Sequence, residues 1–102
     1  MTKSGINQMV ADRITHGLLD DYTGNPVLAM KIAQRFSAWT MEYEKGYFYA
    51  HVADGKLEKG GYERIGKAGA DDFSTALVLA ALRVLPGNVQ LGGVEIPVVM
   101  GQ

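Results

Sequence analysis

The sequence predicts an α+β domain in which a small antiparallel sheet packs with helices. The arrangement is α-β-α sandwich-like, with element order α-α-β-β-(β)-α-β-β. Three observations predict it: helical spacing near the start, a switch to period-two alternation at Trp39, and a long apolar helical run after Asp71-Asp72. At 102 residues the chain fits one domain, residues 1–102, and a domain of that size buries roughly 60–70% of the surface its unfolded chain exposes.

Ile6, Met9, Val10, Arg13 and Ile14 recur at helical spacing from Ser4 onward, and Gly17 is placed to end that helix in the left-handed conformation. Asp20 to Gly24 reads as a loop. Asn25-Pro26 then forms a start signal, because Asn accepts an orphan N–H and Pro sits where none is needed. The second helix is expected from Pro26 to about Ser37. Either Val27, Met30 and Ala33 or Ile32 and Phe36 supply its buried stripe, while Lys31, Gln34 and Arg35 face water.

From Trp39 the period becomes two, with Trp39, Met41 and Tyr43 on one face of a strand and Thr40, Glu42 and Glu44 on the other. Lys45-Gly46 turns the chain into a partner strand, Tyr47 to Val52, and Asp54-Gly55 is a typical turn pair. The stretch from Lys56 to Gly69 is charged and glycine-rich, with a short third strand expected at Tyr62 to Ile65. Asp71 or Asp72 caps a third helix running through Leu85, and Pro86-Gly87 ends it. Beyond it, Val89 to Leu91 and Val94 to Val99 flank Gly92-Gly93 as two short strands, with Pro97 placing the last at an edge.

Composition narrows the function classes. An apolar fraction of 47% with 21% charged residues is that of a folded globular chain. A formal net charge of −1 supplies no field that would draw phosphate backbones, so nucleic acid is disfavoured as a partner. The sequence contains no cysteine, which removes disulfides, thiolate zinc sites and cysteine nucleophiles together; a cytoplasmic location is expected. Polar residues interrupt the first seventeen positions, so no secretory core is expected there. The most apolar stretch, Ala76 to Leu85, is broken by Arg83 and falls short of the roughly 20 residues of a membrane span.

Three segments carry a resemblance: Ile6-Asn7-Gln8-Met9-Val10-Ala11-Asp12-Arg13-Ile14, Ala29-Met30-Lys31-Ile32-Ala33, and Ala70-Asp71-Asp72-Phe73-Ser74-Thr75-Ala76-Leu77-Val78-Leu79-Ala80-Ala81-Leu82. In this order, around a Trp-led strand pair, they resemble the phage "ABA sandwich" domain family of small phage and prophage proteins. The resemblance implies a sheet packed between helices and a phage or prophage origin, hence the host cytoplasm; it implies no established activity. Phe73-Ser74-Thr75 stands where the family carries a Pro just inside the last helix, and the chain after Pro86 is additional.

No residue set reads as catalytic, and neither a metal nor a cofactor is expected. Gly61-Tyr62-Glu63-Arg64-Ile65-Gly66-Lys67 has the spacing of a phosphate-binding loop, but Ala68 replaces the Ser/Thr that binds Mg²⁺ and no buried strand precedes it. His16 and His51 lie far apart, and His16 near a helix C-terminus is explained by the helix dipole. Adjacency keeps Asp20-Asp21 and Asp71-Asp72 from converging on one ion, and capping accounts for the second pair. Lys56, Lys59, Arg64 and Lys67 form a basic cluster, but Asp54, Glu58 and Glu63 interleave with it.

Two features remain. Tyr47, Tyr49 and His51 share one strand parity while Phe48, Ala50 and Val52 supply an apolar face on the other. Helices cover both faces, or the aromatic stripe, with Trp39, binds a protein partner. The third helix is apolar around nearly its whole circumference, so either its own chain encloses it or it lies across a twofold axis. The few elements available as cover favour a homodimer. The expected function is that of a phage or prophage accessory protein acting by protein–protein binding on a host or phage protein, a defence system included, through Trp39, Tyr47, Tyr49 and His51. The alternatives are a small-ligand or nucleotide binder using the Gly60 to Gly69 loop, with Lys59, Tyr62, Arg64 and Lys67, and a weak nucleic-acid binder.

Overall fold

A computed structural model gives the fold of residues 1–86. The described elements are α1 (Lys3–Arg13), α2 (Pro26–Ala33), β1 (Ala38–Glu44), β2 (Tyr47–Lys56), β3 (Tyr62–Ala70) and α3 (Phe73–Val84). The strands form one antiparallel sheet in the order β1-β2-β3. The expected α+β class, with an antiparallel sheet packed by helices, is the observed one. The strands expected at Val89 to Leu91 and Val94 to Val99 lie outside the described residues.

Local chemistry accounts for the helix starts. The Thr2 hydroxyl accepts from the Gly5 N–H at 3.0 Å, and the Asn25 side-chain oxygen Oδ1 accepts from the Val27 and Leu28 N–H groups at 3.0 and 3.3 Å, with Pro26 in the first turn. After α1, His16 and Gly17 both take positive φ (56° and 110°), so the left-handed exit begins one residue before the glycine. α2 stops at Ala33, short of the expected Ser37, and the Arg35 guanidinium turns back to donate to the Ile14 carbonyl at 3.2 Å. The buried stripe of α2 is Ala29, Ile32 and Ala33; Val27 is 56% exposed. The loop before α2 has its own anchor: Tyr22 is buried, its hydroxyl donates to the Leu18 carbonyl, and the Thr23 N–H donates to Asn7 Oδ1 at 2.9 Å.

Lys45-Gly46 makes the tight hairpin turn that the sequence predicts, both residues at positive φ (51° and 84°), the backbone that the right-handed strand twist requires. Asp54-Gly55 is not a turn: both residues belong to β2, and Asp54 pairs with Arg64 across the ladder. The reversal falls at Leu57 to Gly61, where the Leu57 N–H donates to the Gly61 carbonyl at 3.1 Å and Gly60 and Gly61 supply consecutive positive φ values of 93° and 82°. β3 then runs to Ala70, well past the expected Ile65.

The small residues that make β3 look like a loop are what let a helix approach it. A Cβ at Gly66 would lie 2.2 Å from the Ala80 carbonyl oxygen and 2.5 Å from the Val84 nitrogen. α3 thus rests almost directly on the backbone of β3, with Ala50 and Ala68 as buried neighbours in the sheet. Two arginines fix the contact: Arg64 Nε donates to the Val84 carbonyl at 3.1 Å and Arg83 Nη1 to the Lys67 carbonyl at 2.9 Å.

Asp72 caps α3, as predicted. Its carboxylate accepts from the Thr75 N–H at 2.8 Å and the Thr75 hydroxyl at 2.9 Å, and meets Lys3 Nζ at 3.1 Å. Burial works to raise the Asp72 carboxyl, but the two Thr75 donors and the Lys3 ammonium outweigh it and hold the group below its ordinary range. The same hydrogen bond and charge raise the Lys3 ammonium. α3 is the centre of the fold: it packs on β2 and β3 with one side and receives α1 and α2 on the other. Ala76, Leu77, Val78, Ala80, Ala81, Leu82 and Val84 are all buried. The chain itself therefore encloses this helix, and its apolar circumference gives no ground for a second copy.

Candidate functional site

A two-residue hairpin fixes the register, and the register sorts the strand residues between two faces. Trp39 pairs with Val52, Met41 with Ala50 and Tyr43 with Phe48. These share the face that meets α3, where the Phe73 ring stands edge-on to both Trp39 and Phe48 at 6.2 Å. Among the described residues the helices all lie on this side, and no described element covers the other face.

The uncovered face is built in rows across the three strands: Ala38, Ala53 and Ile65; Thr40, His51 and Lys67; Glu42, Tyr49 and Gly69; and Glu44 beside Tyr47. Tyr47, Tyr49 and Ile65 are 41%, 42% and 54% exposed. The two tyrosine rings meet edge to face at 5.1 Å, and a Cβ on Gly69 would touch the Tyr47 ring at 2.7 Å, so this ring lies over the glycine. That packing restrains the tyrosines before any partner arrives, which lowers the entropy cost of binding.

Of the residues expected to form a binding stripe, Tyr47, Tyr49 and His51 are together. Trp39 is not with them: opposite parity sends it beneath the sheet against Phe73. Sequence reasoning left out Glu42, Glu44 and Ile65, which share the tyrosines' face. The signal was present, since a turn at Lys45-Gly46 pairs Glu44 with Tyr47 and Glu42 with Tyr49 by counting outward. Among the described residues neither glutamate enters an ion pair. The Lys67 ammonium belongs to β3, about 10 Å away across β2.

The residues of the loop alternative do not assemble a phosphate cradle. Lys59 sits in the 57–61 turn, while Tyr62, Arg64 and Lys67 belong to β3, with Arg64 and Lys67 on opposite faces. A strand paired with β2 does not gather its N–H groups around an anion. The Arg64 guanidinium is engaged by Asp54 at 3.0 Å, Glu63 at 3.0 Å and the Val84 carbonyl at 3.1 Å. Among the described residues no three His, Asp or Glu side chains are grouped to hold a metal ion, and no helix is long and apolar enough to cross a membrane.

The fold and face together define a three-stranded antiparallel sheet backed by a central helix, with one aromatic and acidic face that no described element covers. No family model, curated protein or solved structure matches the chain.

Proposed function

We propose that the chain is a non-catalytic protein-binding module of the phage or prophage accessory type, working in the host cytoplasm. Its contact surface is the open face centred on Tyr47, Tyr49 and His51, with Ile65 at the β3 edge. The observation that carries the reading is the pair of packed, half-exposed tyrosines on an uncovered sheet face. Tyrosine offers large contact area at low rotamer cost, the composition that concentrates binding energy in protein interfaces. The phage association rests on the resemblance carried by residues 6–14, 29–33 and 70–82.

The test is site-specific photo-crosslinking in the intact chain. A photoreactive phenylalanine analogue at position 49 is expected to yield a discrete adduct with another protein in cells, and the same group at Lys31, on the helix layer, is expected to yield none. Equal labelling from both positions, or none from position 49, removes the reading.

A further inference from the structure

The open face carries more than tyrosines. Glu42 stands directly across from Tyr49, and Glu44 directly across from Tyr47. Being two residues apart on one strand, the carboxylates sit about 7 Å from each other and point to the same side. Among the described residues no cation neutralises either. Two unpaired carboxylates beside two mutually packed, half-exposed aromatic rings form a surface that attracts a cation by charge and by the ring quadrupole at once.

We infer that the partner of this face is a protein segment carrying Lys or Arg side chains interleaved with apolar ones. The inference rests on the protein-binding reading above and names the chemistry of the partner. The cationic groups lodge between the Glu42 and Glu44 carboxylates and the Tyr47 and Tyr49 rings. The apolar side chains fall on the exposed Ile65, at the β3 end of the row whose central Ala53 is buried. An extended segment presents alternate residues to a sheet at the spacing these rows require.

Charge decides among the occupants. The face holds the Glu42 and Glu44 carboxylates against the single Lys67 ammonium, while Glu63 is already paired with Arg64 at 3.0 Å. A second copy stacked face to face would set the same carboxylate excess against itself, at a cost in like-charge repulsion. Residues 87–102 contain Glu95 and neither Lys nor Arg, so they bring no cation to the glutamates. A basic partner relieves the repulsion that either of these would increase.

The test is a nuclear magnetic resonance titration of the full chain with three probe peptides of equal length, alternating Lys-Val, Gln-Val and Glu-Val. The Lys-Val peptide is expected to shift the Tyr47, Tyr49 and His51 amides, and to weaken as salt is added. The double variant Glu42→Gln/Glu44→Gln is expected to bind it about tenfold more weakly, the sum of two modest ion pairs. Lys67→Glu, which extends the acidic surface, is expected to bind it about threefold more tightly. All these side chains are exposed, so unchanged melting temperatures confirm intact folds.

The inference is overturned if Gln-Val or Glu-Val binds as tightly as Lys-Val, if the double variant binds undiminished, or if Lys-Val does not bind at millimolar concentration. Should Gln-Val shift the same amides, the face still binds protein and only the cationic preference falls. Should the shifts map to α1 and α2, both readings fall.

Discussion

The two faces of the sheet solve opposite problems with the same backbone. Beneath, where α3 lies against β3 and its neighbour β2, Gly66, Ala68 and Ala50 keep the strands low and much of the bulk comes from the helix, in Leu77, Val78 and Leu82. Above, where no described helix approaches, the bulk stands on the strands themselves, in Tyr47, Tyr49 and Ile65. The glycines differ in the same way. Gly66 faces a helix backbone that cannot move aside, whereas the neighbour of Gly69 is the half-exposed Tyr47 ring, which has room to shift outward. The covered face is built for stability and leaves the open one free to vary its contacts.

The largest expected effect comes from the covered side. Leu77→Ala removes one of the largest fully buried side chains and is expected to cost about 3–4 kcal/mol in urea unfolding. A loss under about 1 kcal/mol would break the contrast at its strongest point, because α3 would not be the centre of the core. Next are the two glycines. Gly66→Ala forces a methyl against the Ala80 carbonyl and is expected to cost about 2–3 kcal/mol, while Gly69→Ala should stay within about 1 kcal/mol of the parent. Equal losses would show that the faces do not differ in tolerance.

The third prediction concerns the cap that starts the buried helix. Asp72→Ala is expected to cost about 1 kcal/mol at neutral pH, and the deficit should depend on pH with a definite sign. The folded carboxyl lies below its ordinary value of 3.8. Its contribution is therefore complete above that value and disappears as pH falls through the lower folded one. Unfolding curves for parent and variant should converge in that acid window; a constant gap down to full protonation would mean the charge plays no part. The smallest expected effect is on the open face, where Tyr49→Ala should change stability by under about 0.5 kcal/mol while abolishing the partner contact. A larger loss would show that the tyrosines serve the fold itself.

Much of this was legible in the sequence. Asn25-Pro26, Asp72 and Lys45-Gly46 announce their cap and turn roles through local chemistry that needs no tertiary information. The length of β3 was hidden because its requirement is tertiary: Gly66, Ala68 and Gly69 look like loop residues until a helix is laid over them. Asp54-Gly55 failed as a turn because Asp54 is held in the ladder by Arg64, ten positions away, while Gly60-Gly61 offers the tighter reversal. Tyr22 was missed because a single aromatic in a polar loop has no periodicity to expose it. For the site, the tyrosine stripe followed from alternation, but placing Trp39 and the glutamates required the alternation and the turn to be read together.

The order of the elements along the chain has its own consequence. The strands pair with their immediate sequence neighbours, so the two hairpins can form early and cheaply. The helix on which the sheet and both earlier helices rest comes after all of them, ending at Val84. During synthesis, Ile6, Val10, Ile32 and Val52 lack their common partner until Leu77 and Leu82 clear the ribosome, which makes the interval between the emergence of β3 and that of α3 the one of greatest aggregation risk.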